Sequence, residues 1–99
     1  MKTQIQSIHF DADKKLQDFI ENGMDKLYKI YDRIENCDIV LKLNKNDQNK
    51  NMIVEISMSV PGNRLFVKDQ SESFEMAFEK AIEQIKKQLL KHKEKISMT

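Results

Sequence analysis

The sequence predicts an α+β fold of order β-α-β-β-β-α, a four-stranded sheet with two parallel helices on one face. Three observations lead there. Residues 37–43, 52–60 and 64–68 alternate apolar and polar side chains, the period of a half-buried strand. Residues 13–34 and 73–95 instead repeat apolar positions every three or four residues, the period of an amphipathic helix. A chain of 99 residues has room for one hydrophobic core, so all these elements must share a single domain.

Taken in order, Thr3 to Ile8 is the first strand, with Ile5 and Ile8 as its aliphatic residues. Asp13 is the expected N-cap of the first helix, ahead of Asp11, because a carboxylate there accepts from free backbone N–H groups. Leu16, Phe19, Ile20, Met24, Leu27, Tyr31 and Ile34 then keep helical spacing to about residue 30–34. Gly23 interrupts this stripe at a cost of roughly 1 kcal/mol against alanine, so close packing against a neighbour is its expected reason. In the next strand Ile39, Leu41 and Leu43 point one way and Asp38, Val40 and Lys42 the other. Asn44 to Asn51 reads as a polar loop. Met52, Val54, Ile56, Met58 and Val60 form a buried strand face, leaving Ile53, Glu55, Ser57 and Ser59 outside. Pro61 and Gly62 suit a type II turn. Arg64 to Lys68 returns with Leu65 and Val67 inward and Phe66 outward, and Asp69 to Glu72 connects to a helix capped by Ser73. That helix buries Phe74, Phe78, Ala81, Ile82, Ile85 and Leu89. A crossover through the first helix makes the first two strands parallel, and the other three strands form an antiparallel meander. Residues 1–95 are the expected ordered core and 96–99 a tail.

Charge is sorted on both helices. At about 100° per residue, Lys80, Lys87, Lys91 and Lys95 fall opposite the apolar stripe of the second helix. From Lys80 to Lys95 there are six lysines and one histidine against two glutamates. On the first helix Lys15, Lys26, Lys29 and Arg33 lie within about 60° of one another, away from the core. Acidic residues take the flanks: Asp18, Asp25 and Asp32 on the first helix, Glu79, Glu83 and Glu94 on the second. Solvation alone explains most charged helix faces, but two helices with the same segregation point to a polyanionic partner. Net charge is only +1, so the inference rests on distribution rather than on total charge.

Several functions lack their residues. Cys37 is the only cysteine, which excludes an intrachain disulfide and a cysteine-based zinc site and fits a reduced, cytoplasmic setting. Gly23 and Gly62 are the only glycines, so no phosphate-cradling loop exists. His9 and His92 show no metal-ligand spacing, and no serine sits in a nucleophile elbow. No metal, cofactor, small-molecule substrate or catalytic residue is expected. No apolar run approaches the ~20 residues that span a bilayer, and Met1 to Phe10 lacks a signal-peptide core.

Along its whole length the chain resembles the short ribosome hibernation-promoting factors, also called ribosome-associated inhibitor or sigma-54 modulation proteins. The likeness lies in Lys15-Leu16-Gln17-Asp18-Phe19-Ile20, Asp32-Arg33-Ile34, Ile39-Val40-Leu41-Lys42-Leu43 and, above all, Gln88-Leu89-Leu90-Lys91-His92-Lys93-Glu94-Lys95. The resemblance implies a ribosome-binding domain over residues 1–99, similar in fold to a double-stranded-RNA-binding domain. It implies binding to the 16S-type rRNA of the small ribosomal subunit near the decoding centre, where messenger and transfer RNA are blocked and translation is inhibited in stress or stationary phase. By match it places Lys26, Arg33, Lys87, Lys91, His92 and Lys93 among the RNA contacts. Lys29, Lys80 and Lys95 join them by helix face.

The chain departs from the family at Ser73-Phe74-Glu75, where relatives often have an acidic residue, Met and Tyr. It also has Gly23 and Asp25 where relatives carry Lys and Ala, making the first helix less basic. Long members add a C-terminal dimerisation domain; the resemblance here is to a short member, expected to be monomeric in isolation. The rival reading is a protein–protein regulator docking through the acidic helix flanks, as the sigma-54 name suggests.

Overall fold

Four strands and two helices occur in the expected order in a computed structural model that describes residues 3–8, 10–44 and 51–97. They are β1 (Thr3–Ile8), α1 (Lys14–Ile30), β2 (Asn36–Leu43), β3 (Met52–Val60), β4 (Asn63–Ser71) and α2 (Phe74–Ser97). The sheet order is β1-β2-β3-β4. β1 and β2 are parallel, and β2, β3 and β4 are successively antiparallel. The expected polar loop falls at residues 45–50, outside the described residues.

Register carries the strand pattern through the sheet. Ile5, Ile39, Ile56 and Val67 form one row facing the helices, and Thr3, Cys37, Met58 and Leu65 form another. The opposite face carries the row Gln4, Asp38, Ser57 and Phe66, and the row Gln6, Val40, Glu55 and Lys68. That face is held by polar contacts: Lys42 Nζ donates to Glu55 Oε2 at 2.9 Å, and Arg64 Nε donates to Ser57 Oγ at 2.8 Å. Gly62 closes the β3–β4 hairpin at φ 75°, the left-handed backbone that a type II turn requires after Pro61.

Both helix starts are capped as expected. Asp13 Oδ1 accepts from the Leu16 amide at 2.8 Å, and Ser73 Oγ accepts from the Met76 amide at 3.1 Å. The two helices run parallel, because contacts between them and their leading segments climb together in sequence. Phe10 stacks on Phe74 at 4.6 Å, Phe19 meets Phe78 edge-on at 5.9 Å, and Tyr31 meets His92 at 5.9 Å. The core lies between them and the sheet, with Ile20, Met24, Ile39, Leu41, Val54, Ile56, Ala81, Ile85 and Leu89 at 0% exposure.

Several boundaries and burials add to or differ from the expectation. β4 continues to Ser71, because Met52↔Ser71 and Ile53↔Gln70 complete its pairing with all of β3. Ile53 is buried on the outward face, where its register neighbours are Lys42 and Gln70; long polar side chains cover such a position with their aliphatic stems. α1 stops at Ile30, the early end of the expected range, and Tyr31 and Ile34 enter the core from the segment after the helix. α2 runs to Ser97, two residues into the expected tail. Leu16, Phe19 and Ile82 pack against the core but are only half-buried.

Gly23 has the close neighbour its position called for. A methyl group there would lie 2.5 Å from Phe78 Cε2 and 3.1 Å from Ile82 Cδ1. In most helix interiors Gly→Ala gains about 1 kcal/mol. Here the overpacking cost of about 1–3 kcal/mol opposes it, because the Phe78 ring, 2% exposed in the core, would have to shift to admit the methyl group. Gly23→Ala is therefore expected to destabilise by about 1 kcal/mol net. Urea unfolding would measure this, and a rise in midpoint would show that the Phe78 ring yields freely.

Candidate nucleic-acid interface

The two parallel helices bring their basic ends to the same end of the fold. A helix C-terminus carries partial negative charge and favours nearby cations, and Lys29 and Lys95 stand in the last turns of α1 and α2. Lys26 and Lys29 are exposed on α1, and Lys80, Lys87, Lys91, Lys93 and Lys95 are exposed on α2. Among the described residues Lys26, Lys29, Lys80, Lys87, Lys91 and Lys95 make no ion pair. The described ion pairs, Lys42 with Glu55 and Arg64 with Asp38, both lie on the opposite face of the sheet. Ion pairing among the described residues is thus confined to the sheet face, and those six helix lysines have none.

These cations do not form one straight stripe. Between α1 and α2 lies a groove of about 420 Å³ floored by Phe19, Leu27, Ile30, Phe78 and Ile82, with Lys26 on one wall and Lys86 on the other. Lys86 was not among the candidates read from sequence. It stands seven residues beyond Glu79 and four beyond Ile82, on the α2 flank facing α1; that spacing is its signal. Lys80 and Lys87 occupy the outer ridge of α2. On the far flank Gln84 Nε2 donates to Asp69 Oδ2 at 2.6 Å and Gln88 Nε2 to the Phe66 carbonyl at 3.3 Å, so this flank faces the edge of β4. Lys91 and Lys95 follow those glutamines by seven residues and line a hollow of about 400 Å³ with Asn63 and Leu65. The basic surface therefore wraps α2, from the inter-helix groove over its ridge to the β3–β4 hairpin.

Three candidates sit differently from the rest. Arg33 is exposed, but in the turn after α1 rather than on the helix face, because α1 has already ended. His92 is half-buried: its ring meets Tyr31, its Nε2 is buried without a hydrogen-bond partner among the described residues, and it borders the hollow lined by Lys91 and Lys95. Lys93 Nζ donates to the Ile30 carbonyl at 3.0 Å, across 63 residues of sequence. The acidic flanks are also less continuous than expected. Glu79 and Glu83 face the groove beside Lys26 and Lys86, and Asp32 lies beyond the end of α1.

Other chemistry has little to work with. Cys37 is fully buried, and burial pushes its thiol up to about 11. It is therefore protonated near neutrality, and a thiol rather than a thiolate is a poor nucleophile. Burial likewise raises Tyr28 to about 12, and its hydroxyl shares a hydrogen bond with Thr3. Aromatic surface for base stacking is scarce: Tyr28 is half-buried, and Phe66 is 54% exposed on the opposite face of the sheet from the helix lysines. Among the described residues no cluster of His, Cys, Asp and Glu could hold a metal, and no helix is long and apolar enough to cross a membrane.

Fold and surface together define a small α+β domain with a cationic two-helix face. Residues 3–97 match the family described as "Sigma 54 modulation protein / S30EA ribosomal protein", and the chain belongs to that family. It is similar to proteins named ribosome hibernation promoting factor from Pseudomonas putida, at 25% identity over 96% of this chain and 89% of the relative. Another so named, from Klebsiella oxytoca, is 27% identical over 97% of each. The fold is shared with a ribosomal subunit interface protein from Coxiella burnetii, at TM-score 0.83 and 20% identity, covering 94% of this chain and 98% of that one. It is also shared with the N-terminal domain of Thermus thermophilus Protein Y, at TM-score 0.75 and 19% identity, covering 86% and 90%.

Proposed function

We propose that this chain is a cytoplasmic ribosome hibernation factor that binds the small ribosomal subunit near the decoding centre. Its basic helix faces would contact rRNA phosphates, and the bound domain would fill space that messenger and transfer RNA require, inhibiting translation in stress or stationary phase. The observation that carries this reading is the set of exposed lysines on α1 and α2 that make no ion pair among the described residues, most of them in the C-terminal halves of the helices. Such a surface gains affinity from a dense phosphate array by releasing condensed counterions, and shape rather than base identity suits structured RNA. The names of the relatives and the family membership support the same partner.

Sedimentation on sucrose gradients with purified subunits tests it. The protein is expected to travel with small subunits at low salt and to be released at high salt. Absence from every ribosomal fraction at low salt would overturn this reading in favour of a protein–protein regulator.

A further inference from the structure

The end of α1 and the end of α2 are joined by two contacts made by adjacent residues. The Lys93 ammonium reaches the Ile30 carbonyl at 3.0 Å, and the His92 ring packs edge-on against Tyr31 at 5.9 Å and 80°. Ile30 is the last residue of α1, so its carbonyl is one of those left without an intrahelical partner. An ammonium there both satisfies the oxygen and complements the negative end of the helix. Tyr31 next to it is 7% exposed and ends the helix in an extended backbone, with φ −147° and ψ 112°. Just ahead of this junction the helices are separated by the groove that holds Lys26 and Lys86 on opposite walls. The junction thus closes one end of the gap across which the two sets of lysines face each other.

We propose that His92 and Lys93 are positioning residues, a latch that fixes the basic end of α2 against α1 rather than a pair of phosphate ligands. The Lys93 charge is directed at a backbone oxygen of its own fold, and His92 presents its ring to Tyr31. The latch sets the separation of Lys26 and Lys29 from Lys86 and Lys87, so phosphates meet a spacing already in place. Preorganisation of this kind strengthens binding by removing the cost of ordering.

The functional half of this inference rests on the ribosome-binding reading, so the test has one arm that does not. In the free protein, Lys93→Met keeps the aliphatic stem and removes the donor. Amide hydrogen exchange at Tyr31, whose N–H bonds to the Leu27 carbonyl at 3.2 Å, is expected to accelerate about tenfold through local opening. Lys93→Arg, which can still donate, should restore protection. In the second arm, binding to purified small subunits is measured against salt. A lysine that neutralises a phosphate contributes about one unit to the log–log slope. Lys87→Met should lower the slope by about that much, whereas Lys93→Met should weaken binding at fixed salt and leave the slope unchanged. Unaltered exchange at Tyr31, or a slope that falls as far for Lys93→Met as for Lys87→Met, overturns the latch. If the wild-type protein fails to bind subunits, the ribosome reading falls, and the exchange arm still decides the latch.

Discussion

Lys87→Glu combined with Lys91→Glu is expected to lower affinity for small subunits by two orders of magnitude or more at moderate salt. On the proposed function, each reversal removes a cation and would place an anion among rRNA phosphates, and the effect of several charges compounds because each phosphate contact adds to the salt-dependent part of binding. Both lysines are exposed and make no ion pair among the described residues, so the fold is expected to survive their change. Lys87 lies on the outer ridge of α2 and Lys91 on the flank toward the β3–β4 hairpin, so the pair samples two parts of the basic surface. Both positions lie before the last turn of α2, where the helix dipole acts, so the acids add little local cost. In vitro translation with purified ribosomes, titrated with wild type and with the double variant, measures the outcome. Equal inhibition by both, with matching circular dichroism spectra, would sink the helix-face mechanism. Reversal of Lys42, which is paired with Glu55 on the other side of the sheet, should leave inhibition close to wild type.

The elements were legible because each rests on local periodicity. Alternation in β2 and β3 and the three–four spacing in α1 and α2 gave their faces directly, and the capping residues Asp13 and Ser73 gave both helix starts. Features decided by a neighbour were harder to read. The length of β4 is set by β3, which offers it nine paired positions although Asp69 and Gln70 look like loop residues. Ile53 is buried by residues on two other strands, which no single-strand pattern reports. At the candidate site, the resemblance grouped His92 with the contact lysines. Helical spacing puts it at the margin: Ile85, Leu89 and His92 are four and three apart, so the half-buried His92 borders both the core stripe and the hollow of Lys91 and Lys95. Lys93 could not be placed from sequence, because its partner is a carbonyl 63 residues away. Lys86 escaped notice because the charges were sorted relative to the core stripe, whereas the groove is defined by a second helix.

Leu41→Ala and Ile85→Ala should each destabilise by about 2–5 kcal/mol. Both side chains are at 0% exposure, one from the middle of β2 and one from the middle of α2, so together they test the whole helix-on-sheet contact. Each substitution forfeits the transfer free energy of three carbon atoms and leaves a cavity that the surrounding structure only partly refills. A domain of this size holds a total stability of order 5–15 kcal/mol, so either change removes a large share. The strand register makes the prediction directional. Val40, beside Leu41, points to the outer face with Gln6, Glu55 and Lys68 and is half-buried, so Val40→Ala should cost less than Leu41→Ala. A slip of one residue in β2 would exchange the two costs, since every side chain would change faces. Denaturant unfolding measures all three. A loss below ~1 kcal/mol for Leu41→Ala or Ile85→Ala, far under the range for a filled core site, would place that residue outside the core. It would undo the register that sets α2, and with it the lysines, in place.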